Sequence, residues 1–305
     1  MPRCPLVSVL MSVHNGLPFV QEAVESVLAQ TLSDFELLLY DDASSDGTTD
    51  YLMGLRDPRL SVFRNEENLG LTATLNRGLE LAKGEYVARM DADDVAVPER
   101  LERQVKFLEE NLDVGLVGSS RILIDERGDF IAAAFATPDD LGIRWKCLLG
   151  NPFAHPTVVI RKRVLDAHGL RYDEGFITAQ DYELWTRLLP RTRGVNLSEP
   201  LLRYRLRDAG LSRSRRTEQL ENHDRIAWTA IRRLVPGFKI RPEGVTELRG
   251  RFGGHSVREP DMDRRDPQWL QCYMELLDTF IRTHEHEPDV EAFRERQIAG
   301  LAAAA

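Results

Sequence analysis

Four times within the first 111 residues, a short apolar run gives way to a polar loop and then to a stretch of helical spacing. Leu6 to Val13 leads into Pro18 to Gln30, where Val20, Val24, Val27 and Leu28 recur at helical intervals. Phe35 to Tyr40 precedes a helix near Thr48 to Leu55, Leu60 to Arg64 precedes Leu71 to Ala82, and Tyr86 to Met90 precedes Pro98 to Asn111. Strand and helix alternating in this way predict a parallel sheet with helices on both faces and right-handed crossovers. No fixed-period repeat underlies the four units.

Such sheets bind ligands outside the carboxyl ends of their strands. Those ends carry Ser12 to Asn15, Asp41 to Thr48, Asn65 to Gly70 and Asp91 to Asp94, so polar and acidic groups from four loops are expected along one edge. The last loop holds Asp91, Asp93 and Asp94 within four residues. Carboxylates crowded together are costly unless a cation or hydrogen-bond donors compensate them. Asp91 and Asp93, one residue apart, can face one pocket and offer the oxygen ligands that Mg²⁺ or Mn²⁺ prefers, with a substrate's phosphates completing the shell.

Charge is unevenly placed. Residues 1–100 hold 17 acidic and 8 basic side chains, the remainder 32 of each, so the net charge of -9 lies in the first third. That balance excludes nucleic acid as a partner of this part and suits a cation-assisted phosphate site. The absence of 18 consecutive apolar residues predicts no membrane-spanning helix, and MPRCPLVSVLMSVHN turns polar too soon for a signal peptide, so a cytoplasmic protein is expected. Cys4, Cys147 and Cys272, distant from one another and without metal-ligand spacing, are expected to be core thiols.

Beyond Asn111 the alternation loosens. Strands are expected at Val114 to Ser119, Ile122 to Asp125, Thr157 to Ile160 and Leu201 to Arg205, with hairpin chemistry at Glu126 to Gly128, making the sheet mixed. Amphipathic helices are expected over Thr217 to Val235 and Pro267 to Thr283. Between them, eight glycines and prolines from Pro236 to Arg265 predict a long exposed connection. The expected organisation is therefore a catalytic domain over residues 1–215 and a helical extension over 216–305, ending in AGLAAAA, which reads as a fraying helix end or an appended tail.

The stretch VSVLMSVHNGLPFVQEAVESVLAQTLSDFELLLYDDASSDGT resembles the amino-terminal signature of glycosyltransferase family 2, and KGEYVARMDADD resembles its DxD motif. The likeness continues in order through NPFAHPTVVIRK, AQDYELWTRLL and LLRYRLRDAGLSRSRR, covering roughly residues 5–215. It implies the GT-A type fold: a mixed, mainly parallel sheet flanked by helices, here with a C-terminal helical extension. It also implies an inverting transfer from a nucleotide diphosphate sugar, a UDP-sugar, to a glycan or lipid-linked acceptor hydroxyl. Bacterial polysaccharide or glycolipid assembly at the inner face of the membrane is the implied setting. Peripheral membrane association and homodimerisation through the C-terminal helices are both compatible with this pattern.

Carried over by position, the resemblance assigns Asp42 to the nucleotide base, with Ser12, His14 and Asn15 beside it and Asn68 and Gly70 near the ribose. Asp91 would approach the ribose or a metal water, Asp93 would bind Mg²⁺ or Mn²⁺, and Asp181 would be the catalytic base. Asp41 is expected to cap its strand end, Asp46 and Gly47 to start the next helix, and Asp94 to support the loop or cap a helix. His155, Arg207 and Arg213 are candidate acceptor or diphosphate contacts, His155 competing with a structural role and the arginines with a solvated basic loop. Two departures stand out: Gln180 precedes Asp181 where relatives often have Glu, and Arg207 stands in a tract where relatives often have His. They leave open a binding module without turnover. A phosphoacceptor switch is disfavoured by length and by the lack of a clear lysine at a following strand end. A dinucleotide-binding dehydrogenase is disfavoured because VHNGLPFV lacks GxGxxG.

Overall fold

A computed structural model describes residues 4–207, 215–253, 263 and 265–303. The described residues fall into two compact units, one up to Pro138 and from Phe153 to 207, the other comprising Asp139–Pro152 and Arg215 onward.

The first unit is a nine-stranded sheet. In chain order its elements are β1 (Val7–Val13), α1 (Phe19–Leu28), β2 (Phe35–Asp41), α2 (Thr48–Gly54), β3 (Leu60–Arg64), α3 (Leu71–Leu81), β4 (Tyr86–Asp91), β5 (Val95–Ala96), α4 (Arg100–Glu110), β6 (Val114–Ile124) and β7 (Phe130–Ala134). After the excursion through the second unit come β8 (Val159–Arg161), α6 (Lys162–Ala167), α7 (Gln180–Leu188) and β9 (Arg193–Arg205). The strand order is β3-β2-β1-β4-β8-β6-β9-β5, with β7 on β6. Strands β3, β2, β1 and β4 are parallel, as the alternation predicts, and β8, β7 and β5 pair antiparallel to their neighbours.

Strands β1, β2 and β4 are buried on both faces, so each reads as a nearly continuous apolar run, whereas the edge strand β3 is half-exposed. Helix α1 lays Val20, Ala23, Val24 and Val27 against them. Each fully buried valine there contributes roughly 1.5–3 kcal/mol over an exposed one. At Gly84, which turns the chain into β4, a Cβ would meet the backbone nitrogen of Ser8 at 2.5 Å, so only glycine fits. Register sets the site: Val13 lies opposite Asp41, and Ser12 opposite both Tyr40 and Asp91, so the strand ends finish level.

Several expectations change. The two strands expected between Val114 and Asp125 are one strand, and β9 begins at Arg193 because its first half pairs in parallel with β6. Residues 155–157 form a single 3-10 turn before β8.

The second unit contains α5 (Asp140–Cys147), α8 (Arg216–Leu234), α9 (Pro242–Phe252), α10 (Pro267–Thr283) and α11 (Val290–Ala303). Trp145 sits at its centre, edge-on to Tyr273 and Phe280 at 5.3 Å each. Leu276, Leu277, Ile231 and Leu248 are fully buried around it. Within the exposed connection expected from Pro236 to Arg265, residues 254–262 and 264 lie outside the described residues, and Pro242–Phe252 forms α9, which buries Val245 and Leu248. Its Pro242 occupies the first turn, where the missing N–H costs nothing, and Gly253 ends it, so these residues punctuate a helix here. The expected core thiols differ in fate: Cys147 is buried, Cys272 half-buried and Cys4 exposed. Among the described residues no helix is long and apolar enough to cross a membrane.

Candidate active site

The loops after β1, β2 and β3 are knitted around Asp42. Its buried carboxylate accepts from Asn65 Nδ2 (2.7 Å) and the Leu69 amide (2.9 Å) on Oδ1, and from the Gly70 amide (2.9 Å) on Oδ2. Gly70, at φ 83°, begins α3 in a conformation that disfavours side chains. Asn65 is itself held by Arg77 Nη1, which donates to its Oδ1 at 2.8 Å. His14 Nδ1 lies 2.8 Å from the Asp42 carbonyl, which can only accept, so Nδ1 carries the proton and Nε2 can accept from Asn15 Nδ2. The Asn15 amide donates to Ser44 Oγ, and the Ser45 amide donates to Asn15 Oδ1. His14, Asn15 and Asn68 are exposed around the buried Asp42. Asn68 Oδ1 also accepts from the Gly70 amide, at 3.0 Å.

Asp41 turns away, accepting from the Ser44 amide and Thr49 Oγ1. Asp46 accepts from the Thr48 amide ahead of α2, whose N-cap Gly47 is left-handed, as its turn chemistry predicts.

The acidic loop after β4 is compensated from beneath. Arg89, buried in β4, pairs with Asp91 and also donates to the Met90 carbonyl. Arg100 is fully buried behind it, donating to the Arg89 carbonyl at 2.7 Å, and burial brings its guanidinium down to about 10 despite the pull of Asp94. From the end of β9, Arg205 donates its backbone amide to Asp94 Oδ1 and its Nε to the Asp93 carbonyl, each at 2.8 Å. Its Nη1 also reaches the carbonyls of Asp125 and Glu126. Arg207 Nη1 reaches Asp93 Oδ2 at 3.2 Å. Burial and the neighbouring Asp91 charge push the Asp93 carboxyl up, against the pull of Arg207. Asp94 is pushed well above the usual range by burial and by both neighbours, and its Oδ2 has no hydrogen-bond partner among the described residues.

Asp181 lies in the first turn of α7, which starts at Gln180 after a left-handed Ala179, so the helix is capped by Ala179 and not by Asp181. Leu184, Trp185 and Leu188 anchor this helix in the core. The buried hydroxyl of Tyr172 feels charges from both Asp181 and the acidic loop. Burial raises that hydroxyl's pKa; Arg89 opposes the shift, and the charges of Asp181 and Asp91 add to it. His155 Nε2 lies 2.8 Å from the same hydroxyl, and its ring packs edge-on against Tyr172 and Trp185. Burial and Arg89 hold this histidine neutral, well below its ordinary range. The acceptor contact considered for His155 is thus replaced by a contact with Tyr172. Arg213 lies outside the described residues.

A sequence profile described as "Glycosyl transferase family 2" matches residues 8–169. The chain belongs to that family. It is 36% identical over 218 residues to the O-antigen biosynthesis glycosyltransferase WbnJ of Escherichia coli, covering 68% of this chain and 83% of that one. It is 28% identical to the UDP-Glc:alpha-D-GlcNAc-diphosphoundecaprenol beta-1,3-glucosyltransferase WfgD of the same organism, covering 68% and 79%. Among solved structures, S. aureus TarS 1-349 in complex with UDP-GlcNAc superposes with a TM-score of 0.64 at 19% identity, covering 91% of this chain and 82% of that one. The mannosyltransferase PcManGT of Pyrobaculum calidifontis, in complex with GDP-Man and Mn2+, gives 0.59 at 18% identity, covering 100% and 77%. The fold is that of the GT-A glycosyltransferases.

Within this family 2 chain, the residues of the acidic loop fit a hard divalent cation. The donor set is oxygen only, the Asp93 and Asp94 carboxyls are pushed up by burial and then by neighbouring carboxylates, and the buried Asp94 Oδ2 has no partner among the described residues. No group of three ligands stands ready among the described residues, so a substrate's oxygens would complete the shell of a cation there. Arg89 and Arg205, which organise the loop, are missing from the expected site. For Arg89 the sequence signal is a single arginine among the apolar residues of β4, and for Arg205 it is a place in the arginine-rich end of β9.

Proposed function

We propose that this chain is an inverting, metal-dependent glycosyltransferase that moves a sugar from a nucleoside diphosphate donor, a UDP-sugar, to a hydroxyl of a glycan or lipid-linked acceptor in bacterial polysaccharide assembly. The reading is supported most by the acidic loop after β4, where Asp91, Asp93 and Asp94 gather against Arg89, Arg205 and Arg207 at the level ends of β1, β2 and β4.

In this reading Asp42 and Ser12, with the exposed His14, Asn15 and Asn68, surround the base and ribose, and the Asp42 carboxylate also holds the loops in place. Asp91 faces the ribose. Asp93 would hold Mg²⁺ or Mn²⁺, which when bound supplies positive charge to the departing diphosphate. Arg207 adds a second positive charge there. The acceptor oxygen attacks the anomeric carbon as the bond to the diphosphate oxygen breaks, and Asp181 takes the acceptor's proton. UDP use is favoured by the named donors of WfgD and TarS, and a lipid-linked acceptor by that of WfgD. Work on such an acceptor would place the enzyme at the cytoplasmic face of the membrane.

The deciding experiment is Asp181→Asn, assayed with UDP-glucose, UDP-GlcNAc and GDP-mannose, Mn²⁺ and diphosphoundecaprenyl-GlcNAc. Transfer should fall by about 10³-fold or more while UDP binding by calorimetry stays within a factor of two. Near wild-type turnover would remove Asp181 from the base role.

A further inference from the structure

We infer that Asn76, on α3, is a positioning residue for Asp181 and acts through Tyr172. The inference rests on Asp181 being the base proposed above.

The approach to α7 has no regular structure of its own from Tyr172 to Phe176, and Asp173, Glu174 and Gly175 within it are exposed. Helix α3 grips it with side chains. Asn76 Nδ2 donates to the Tyr172 carbonyl and Asn76 Oδ1 accepts from the Tyr172 amide, both at 3.0 Å. One amide group thus satisfies both backbone groups of one residue, as a neighbouring strand would. Thr72 Oγ1, one turn earlier on α3, donates to the Phe176 carbonyl at 2.9 Å. The Tyr172 side chain is held from the other side by His155 and is 5% exposed. Backbone and side chain of Tyr172 are therefore both fixed, and Asp181 follows nine residues on, in the first turn of α7.

Helix α3 also begins at Gly70, whose amide binds Asp42. Six residues at 1.5 Å rise put roughly 9 Å of rigid helix between Gly70 and Asn76. The helix is a strut: one end carries the loops around Asp42 and its flank carries the approach to Asp181. Releasing the flank should shift Asp181 against a donor pocket that stays intact. A displacement of about 1 Å at a reacting group can cost about 10²-fold in rate.

The test is Asn76→Ala, alone and combined with Asp181→Asn, using the same donors and diphosphoundecaprenyl-GlcNAc. The expected result is a fall in kcat of at least about tenfold with UDP affinity within a factor of two, and no additional loss in the double variant, because Asn76 acts through Asp181. Thr72→Val, a milder release of the same segment, should show the same split at smaller size and serves if Asn76→Ala does not fold. Unchanged kcat in Asn76→Ala or Thr72→Val with Asp181→Asn inactive would overturn this inference alone. So would an equal fractional loss in both backgrounds, which marks a general structural role. An active Asp181→Asn would overturn the base assignment, and this inference with it.

Discussion

Arg207 Nη1 donates to Asp93 Oδ2 across 3.2 Å, and the same guanidinium lies 4.7 Å over the ring of Phe19. Phe19 carries a second guanidinium, that of Arg205, at 4.9 Å. The aromatic ring holds two cations at the acidic loop, one committed to backbone carbonyls and to Glu22, the other to the carboxylate assigned to the metal.

Arg207 should therefore compete with a divalent cation for Asp93 when no nucleotide is bound. The pair is partly exposed, so its strength is limited to about 1 kcal/mol. Arg207→Gln is expected to tighten Mn²⁺ binding to the nucleotide-free protein several-fold in a calorimetric titration. Equal or weaker binding in the variant would show that Arg207 does not occupy the cation's place.

Much of this site could be read from the residues, because β1, β2 and β4 are buried on both faces and their apolar runs end abruptly in polar loops. Asp42, Asp91 and Asp93 stand out for that reason. Arg89 does not: one arginine in YVARMD looks like a solvent-facing residue, and its ion pair with Asp91, which lies in the strand's last position, compensates its burial. Asn76 is equally hidden, since a polar residue on an amphipathic helix ordinarily faces water, and its partner lies 96 positions away. Residues 139–152 pack with the helical unit because Trp145 needs the aromatic surroundings that Tyr273 and Phe280 supply, a demand that no local pattern displays.

Asp42 leads to a second prediction. Its two oxygens accept from three donors, and an asparagine in its place must turn its NH₂ toward either Gly70 N or the Asn65 and Leu69 pair. Either orientation sets donor against donor at a buried site, costing about 1–3 kcal/mol. Asp42→Asn should lower the urea midpoint accordingly and weaken UDP binding by calorimetry about tenfold or more, because the loops that frame the base are loosened. Unaltered stability would mean that the loops do not depend on this carboxylate.

Asp94 gives the clearest dependence on pH. It is 1% exposed, with Oδ1 bound to the Arg205 amide and Oδ2 unpartnered among the described residues. Burial first, then Asp91 and Asp93, raise its carboxyl well above the ordinary 3.8. Because the folded value lies above the unfolded one, folding favours the protonated form. The stability this contributes is complete below the unfolded pKa and is lost as pH rises through the folded one. Each unit of elevation corresponds to about 1.4 kcal/mol at high pH. Asp94→Asn keeps an Oδ1 acceptor for Arg205 and does not titrate. In EDTA and without nucleotide, the variant's urea midpoint should match wild type near pH 4 and exceed it increasingly toward pH 8. A difference that stays constant or reverses would mean that the Asp94 carboxyl is compensated when ionised, by Arg89 and its neighbours, despite its burial.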